Sequence, residues 1–371
     1  MNTDASAPME RWNTLPWKSI QRNVFKLQTR MYRAAGREDV TTVRQLQRLL
    51  MHSWSAKLLA VRKVTQDKQG KKTPGVDGIK SLTPPQRLTL ARTLTLDGTA
   101  APVRRVWIPQ PSTPELRPLG IPTVHDRAGQ ALVKSALEPA WEARFAPNSY
   151  GFRPGRSCHD AIEAIFTAIG HNAKYGLDAD IEKCFDRIDQ TALLTKVHTS
   201  PSLHRQLKAW LKAGVLDQGT VFPTDTGTMQ GGHLSPLLAC IALHGLEALI
   251  GKRFPRSGSR RFQTPNGVVY ADDLVILHED RTIVERCQAV VTEWLREMGL
   301  TLQPSKTRIT HTLDVAEGRP GFDFLGFQIR QYPGGKLSRA KIAEDVCTAS
   351  QRASPPALQR CNGMSRLCER R

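Results

Sequence analysis

The chain has 371 residues, 40% of them hydrophobic, which allows two or three structural units with real cores, and it carries 53 Lys+Arg against 34 Asp+Glu, a formal charge of +19. This excludes wholesale disorder and favours a polyanionic partner. The longest apolar stretch, 234–250, is interrupted by His244 and Glu247 and is shorter than the ~20 clean residues of a bilayer span. The N-terminus has no basic segment leading into an apolar one, so a cytoplasmic protein without a membrane partner is expected. Seven cysteines form no CxxC pair and leave an odd number, which disfavours a disulfide framework and a structural zinc.

Residues 1–110 carry 20 Lys+Arg and 7 Asp+Glu, so the excess charge is concentrated in the first third. There Ile20, Val24, Leu27 and Met31, then Val43, Leu46, Leu49 and Leu50, recur at helical spacing and predict two amphipathic helices. Lys18, Arg22, Lys26, Arg30, Arg33, Arg37, Arg44 and Arg48 fall on the other faces. With few acids to pair them, they read as a phosphate-tracking surface in preference to a merely solvated one. A polar loop, 67–81, separates this arm from the body. Val103–Pro109 and 117–122 read as strands of a hairpin. Ser157 with Asp160 is a capping-box pattern ahead of the buried face Ala161, Ile162, Ile165, Phe166 and Ile169. Ser235-Pro236 predicts N-cap and N1 of a helix running through Leu246, and 285–298 predicts another. The segments 175–185, 267–277 and 322–329 between these helices are rich in β-formers or aromatics. The expected class is α+β, without a strict βαβ repeat.

The chemistry concentrates in Tyr270-Ala271-Asp272-Asp273, two acids at a turn between the strand-forming runs Val268-Val269 and 274–277. Such a pair also reads as an ordinary exposed turn. A second acidic segment, Leu177-Asp178-Ala179-Asp180-Ile181, puts Asp178 and Asp180 on one side of a strand by its period of two. If the two strands are neighbours, Asp180, Asp272 and Asp273 converge as hard oxygen ligands for two Mg²⁺ ions, with phosphoryl transfer as the reaction class.

YADD after an apolar strand, with DADIEKCFDRID upstream, resembles the palm of a reverse transcriptase, and more specifically group II intron-encoded reverse transcriptase/maturases. TPGVDGI (73–79), RPLGIPTVHDRAGQALV (117–133), NSYGFRPGRS (148–157), QGGHLSP (230–236), GLTLQPSKTRI (299–309) and FDFLGFQI (322–329) match the same family pattern in order. The resemblance implies right-hand polymerase fingers and palm, with an antiparallel palm sheet and a YxDD hairpin. Its domains would be a basic helical N-terminal extension (1–80), the fingers/palm (81–330) and an irregular tail (331–371). It implies RNA-directed DNA polymerase activity in intron splicing or mobility, with an RNA template such as group II intron RNA, a DNA or RNA primer, dNTPs, and two Mg²⁺ or Mn²⁺ ions as partners.

Residue by residue, the resemblance assigns Asp180, Asp272 and Asp273 to the metals, with the carbonyl of Ile181 as a further ligand. It puts Phe185 under the nucleotide sugar, where an aromatic ring excludes a 2′-hydroxyl; ordinary core packing is the other reading. Arg117, supported by Arg127, would take the triphosphate, and Gln230 and Gly231 would lie against the incoming nucleotide. Lys306 matches the lysine near the leaving pyrophosphate and would be a general acid, although an exposed lysine reads equally well. Tyr150, Arg153 and Arg156 would position template, and Phe324, Leu325 and Gly326 would form the primer-grip hairpin.

Three departures stand out. Thr228-Met229 replaces the family's Thr-Pro, His233 replaces an aliphatic residue, and 110–115 lacks the family's lysine. After Ile329 only 42 residues follow, so a thumb is expected to be largely absent. A catalytically weak RNA-binding maturase remnant and a metal-dependent nuclease are the competing readings, and the nuclease leaves Phe185 and the QGG block without a role.

Overall fold

A computed structural model describes residues 12–67, 73–109, 116–170, 172–255, 264–314 and 320–332, and the backbone of 340–343. In chain order the helices are α1 (Trp17–Gly36), α2 (Val40–His52), α3 (Trp54–Arg62), α4 (Pro84–Thr93), α5 (Val124–Glu142), α6 (Cys158–Ile169), α7 (Cys184–Arg187), α8 (Gln190–Val197), α9 (Pro201–Leu211), α10 (Ser235–Leu243), α11 (Leu246–Arg253) and α12 (Arg281–Arg296). The strands are β1 (Val103–Pro109), β2 (Leu116–Ile121), β3 (Tyr175–Asp180), β4 (Val215–Asp217), β5 (Thr220–Phe222), β6 (Asn266–Tyr270), β7 (Asp273–His278), β8 (Arg308–His311), β9 (Phe322–Phe324), β10 (Phe327–Gln331) and β11 (Ala340–Ala343). The chain divides into two compact units, one built from 1–144 and 194–238, the other from 145–193 and 239–371. These units interleave along the chain.

In the first unit the amphipathic spacing works as expected. Ile20, Val24 and Met31 of α1 and Val43, Leu46 and Leu50 of α2 are buried, whereas Leu49, expected inside, is 53% exposed. Asp39 caps α2 by accepting from the Thr42 N–H at 3.0 Å. Helices α3, α4, α5 and α9 were not anticipated. In α4, Pro84 and Pro85 supply the first turn, and the Thr83 N–H donates to Gln86 Oε1 at 2.9 Å. In α5, the Thr123 side chain accepts from the Asp126 N–H. The buried face of α5 is made of small residues, Ala128, Ala131, Ala136 and Ala140, around Leu132 and Leu137. The core of this unit joins Met31 and Leu46 from the arm to Leu88, Ala128 and Leu132, so the basic helices belong to the body. A four-stranded sheet has the order β2-β1-β4-β5, with β1 antiparallel to β2 from Arg104↔Ile121 to Pro109↔Leu116. The segment 110–115, where the family lysine was missing, lies outside the described residues.

The second unit is built on a four-stranded antiparallel sheet in the order β6-β7-β3-β8. Val268, Val275 and Leu277 face a core completed by Ala161, Ile162, Ile165 and Ile169 of α6 and by Phe322, Phe324 and Ile329. The capping box at Ser157 is present: the Asp160 N–H donates to Ser157 Oγ at 3.3 Å, and the Ser157 N–H donates to Asp160 Oδ2 at 2.6 Å. A small sheet, β11-β10-β9, stands beside this one. Gln331 ties α6, β8 and β10 together, accepting from Thr312 Oγ1 at 2.6 Å and donating to the Ile169 carbonyl at 2.8 Å. The expected irregular tail is corrected in one place, since 340–343 pair with β10 as a strand; 333–339 and 344–371 lie outside the described residues.

The apolar run from Ser235 also differs from expectation. Ser235 is the first residue of α10 and not its cap, and Gly245, at φ +108, breaks the run into α10 and α11. The combined stretch Ser235–Arg253 is long and apolar enough to cross a bilayer, but more than half of it is buried within the chain. It is packed as core helices are.

The capping box gives a stability test. Ser157→Ala removes the acceptor for the Asp160 N–H, and its urea unfolding midpoint should fall by the equivalent of about 1 kcal/mol.

Candidate active site

Strand β3 positions the acids. Its alternation buries Leu177 and Ala179 and leaves Asp178 and Asp180 on the opposite face. In the ladder with β7, Asp180 pairs directly with Asp273, so the two carboxylates leave the sheet on the same face with Cβ atoms roughly 5 Å apart. Tyr270 pairs with Asp273, which makes Ala271-Asp272 a two-residue hairpin loop. Ala271 adopts φ +56, a conformation more often given to glycine. The Asp272 carbonyl accepts from the Ile181 N–H at 3.1 Å, and this bond fixes the turn against the end of β3. Three aspartates therefore lie at one end of the sheet.

Burial, and then the charges of Asp272 and Asp180, push the Asp273 carboxyl up to about 7, with Lys306 opposing. Lys306 stands on a 3-10 turn, Pro304–Lys306. The turn is anchored by the Gln303 N–H donating to the Asp180 carbonyl at 2.8 Å. Lys306 Nζ donates to Asp180 Oδ2 at 2.5 Å, and that hydrogen bond holds its ammonium above the ordinary lysine range. Nearby on the same sheet, Arg308 Nε donates to its cross-strand partner Asp178 at 3.3 Å. Burial raises the Asp178 carboxyl, and Arg308 offsets part of the rise. Arg308 escaped the sequence reading because its partner lies 130 residues away.

The bridge between Ile181 and Leu302 is closed by the carbonyls of Asp180 and Thr301, which leaves the Ile181 carbonyl out of the ladder. Lys183, at φ +45, turns the chain into α7 and sets Phe185 half-buried. Cys184 beside it is pushed up to about 12 by burial and by the carboxylates of Asp272 and Asp180, which makes it an inert thiol.

Among the described residues, no group of three His, Cys, Asp or Glu side chains is gathered closely enough to hold a metal unaided. The donor set nevertheless fits a hard divalent ion. Mg²⁺ takes one or two carboxylates and completes its shell with water and substrate phosphates, and a carboxyl kept protonated by burial and by like-charged neighbours has much to gain from a cation. Asp180, Asp272 and Asp273 are the residues that would hold it.

The loop 146–153 borders the hairpin. The Tyr150 N–H donates to the Val269 carbonyl at 2.8 Å, and the Val269 N–H donates to the Asn148 carbonyl at 2.9 Å. Tyr150 is buried in the core, and its hydroxyl bonds Asn148 at 3.3 Å. Arg153, also buried, bonds the carbonyls of Ala146 and Ser149. Both side chains brace the loop. Arg156 lies over the Tyr150 ring, 5.5 Å from its centroid. Leu325 and Gly326, at φ +52 and +83, form the tight turn between β9 and β10. Phe324 is buried in the core and not presented on the surface.

In the other unit, Arg117 Nε donates to Gln230 Oε1 at 2.8 Å. The Gly120 N–H donates to the Gln230 carbonyl at 2.7 Å. Gly231, at φ +105, passes so close to Gly120 that a Cβ would lie 2.7 Å from its carbonyl oxygen. Arg117, Gln230 and Gly231 are thus brought together. Arg127 is buried on α5, where desolvation lowers its pKa and Asp77 opposes the drop. His233 bonds Gln130 Oε1 through its backbone N–H at 2.9 Å.

The family model for reverse transcriptase (RNA-dependent DNA polymerase) matches residues 108–329, and that for the N-terminal domain of reverse transcriptase matches 12–94. The chain belongs to the reverse transcriptase family. Protein YkfC of Escherichia coli K12 is 30% identical over 348 residues, spanning 82% of this chain and 88% of that protein. The group II intron-encoded protein LtrA of Lactococcus lactis subsp. cremoris is 34% identical over 63% of this chain and 37% of its own length. Maturase-like protein 1 of Euglena gracilis is 33% identical over 43% of this chain and 35% of that protein. The chain therefore spans only about a third of the lactococcal relative. A solved Candida tropicalis telomerase aligns over 66% of this chain and 55% of its own, at 11% identity and a TM-score of 0.49. A Candida albicans telomerase aligns over 63% and 45%, at 14% identity and 0.44. Scores of this size add nothing to the family assignment. In this reverse transcriptase the second unit carries the palm sheet with its YxDD hairpin, and the first carries the fingers strands and the N-terminal helices.

The raised Asp273 carboxyl sets a pH dependence. The folded chain holds a proton that the unfolded chain has released above about pH 4. Folded stability should therefore fall as pH rises from about 4 to about 7 in the absence of divalent ions. Asp273→Asn should remove that fall and be more stable than wild type at pH 8, by on the order of 2–4 kcal/mol in urea unfolding.

Proposed function

We propose that the chain is an RNA-directed DNA polymerase of the group II intron type, adding dNTPs to a primer 3′-hydroxyl on an RNA template. The observation that carries the reading is the cross-strand pair Asp180 and Asp273, with Asp272 at the adjoining turn and Lys306 bonded to Asp180. The three aspartates would hold two Mg²⁺ or Mn²⁺ ions, with the Ile181 carbonyl as a further oxygen. When bound, such ions lower the pKa of the attacking hydroxyl and balance charge on the entering and leaving oxygens.

The remaining steps fall to the chain's own side chains. Lys306 carries a proton at Nζ that it can deliver to the leaving pyrophosphate. Arg117 offers a planar guanidinium to triphosphate oxygens, and Gln230, bonded to it, lies against the nucleotide. The Phe185 ring fills the space that a 2′-hydroxyl would need. The eight arginines and lysines named above, seven on α1 and α2 and Arg37 just past the end of α1, all exposed, would track RNA phosphates. The described cysteines Cys158, Cys184, Cys240 and Cys287 are free thiols.

Primer extension on poly(rA)/oligo(dT) with Mg²⁺ and dTTP tests the reading. Extension should be abolished in Asp272→Ala/Asp273→Ala, and RNA binding should be retained. Wild-type protein that binds RNA without extending would replace the polymerase by an RNA-binding maturase. Separately, Phe185→Ala should admit ribonucleotides that the wild type rejects, and a variant that still rejected them would remove Phe185 from the sugar-selecting role.

A further inference from the structure

Phe152 has had no role so far, yet it is one of the few non-glycine residues at positive φ among the described residues. It sits at φ +59, where a bulky side chain is a genuine outlier, and its side chain is 45% exposed. An exposed phenylalanine in a strained backbone is held there by its surroundings. The preceding residue supplies part of that hold. A Cβ on Gly151 would overlap the backbone nitrogen of Ala271, so this glycine allows the loop to lie directly on the YADD turn. Its carbonyl accepts from Cys240 Sγ at 3.1 Å. On the other side, Arg153 clamps the carbonyls of Ala146 and Ser149.

Pinned from both sides, the Phe152 ring meets one aromatic partner. Its centroid lies 5.9 Å from that of Phe185, with the planes at 73°, an edge-to-face pair. Phe185 is itself on α7, a helix of one turn that begins at Lys183 in a left-handed conformation. So short a helix has little stability of its own, and a neighbouring ring is an effective way to fix the direction of Phe185.

We infer that Phe152 is a positioning residue for sugar selection: its ring holds Phe185 in the orientation that excludes a 2′-hydroxyl, and the loop carrying it takes its own position from the YADD turn. The inference rests on the reading of Phe185 as the group beneath the nucleotide sugar. It links nucleotide choice to the catalytic hairpin through one loop, since Gly151 touches the turn and Phe152 touches the gate.

The test is single-nucleotide insertion by the full chain on an RNA template with a DNA primer, comparing kcat/KM for dCTP and CTP. Phe152→Ala should shrink the preference for dCTP by about threefold to tenfold, the range an edge-to-face pair is worth, with CTP gaining relative to dCTP. Phe152→Tyr should restore the preference. Phe152→Gly, which removes the ring and suits the left-handed backbone, should behave like Phe152→Ala, so that misfolding does not account for the effect. An unchanged ratio, or an equal loss for both nucleotides, overturns the inference while the polymerase reading stands. Wild-type protein that inserts neither nucleotide overturns the polymerase reading and the inference with it. A readout free of turnover is the ¹⁹F resonance of fluorophenylalanine at position 185. Phe152→Ala should shift or broaden it, and an unmoved resonance overturns the inference alone.

Discussion

The direct pairing of two aspartates across neighbouring strands is the constraint on which this structure turns. Like charges placed opposite each other in an antiparallel ladder oppose the ladder itself, and here the sheet register makes Asp180 and Asp273 partners at the strand ends. Much of the surrounding structure offsets that repulsion. Lys306 bonds Asp180, the Ile181 N–H reaches the Asp272 carbonyl, and the Asp273 carboxyl stays protonated up to about pH 7. A sheet serving only stability would place a neutral pair there.

The cost is met by a rigid base. Leu177, Ala179, Leu274 and Ile276 anchor the acidic strands from the opposite face of the sheet, and the 146–153 loop closes over the hairpin with backbone bonds in both directions. The turn between β6 and β7 is fixed from outside as well as by its own residues. This explains why Tyr150 and Arg153 point inward: the groups they satisfy, Asn148 and the carbonyls of Ala146 and Ser149, belong to the brace.

Much of this was legible in the residues, and the exceptions have physical causes. Period-two alternation around Asp178 and Asp180 placed β3, and the capping pattern at Ser157 placed α6. Helix α5 was missed because alanine, glycine and the polar Asp126, Arg127 and Gln130 make up more than half of its buried residues, so apolar periodicity is faint. The break at Gly245 was missed because the apolar residues run on through it. The motif order joined Lys306 to the acids as a family role, but the bond to Asp180, across 126 residues, is a fact of sheet register that spacing alone does not encode. Phe152 lies within the NSYGFRPGRS segment, but nothing in a string of letters marks a left-handed backbone.

The interleaving of the two units reaches beyond the finished fold, to how the chain is made. Synthesis proceeds from the N-terminus at about 5–20 residues per second, and the first unit cannot be completed until residue 238 has emerged. By then 145–193, which belong to the second unit, are already outside the ribosome with β3 unpaired, because β7 and β8 have not been made. For several seconds a strand carrying Asp178 and Asp180 waits without neighbours. The same charges that burden the finished ladder then act as a safeguard, since an acidic strand is a poor template for edge-to-edge pairing with another nascent chain.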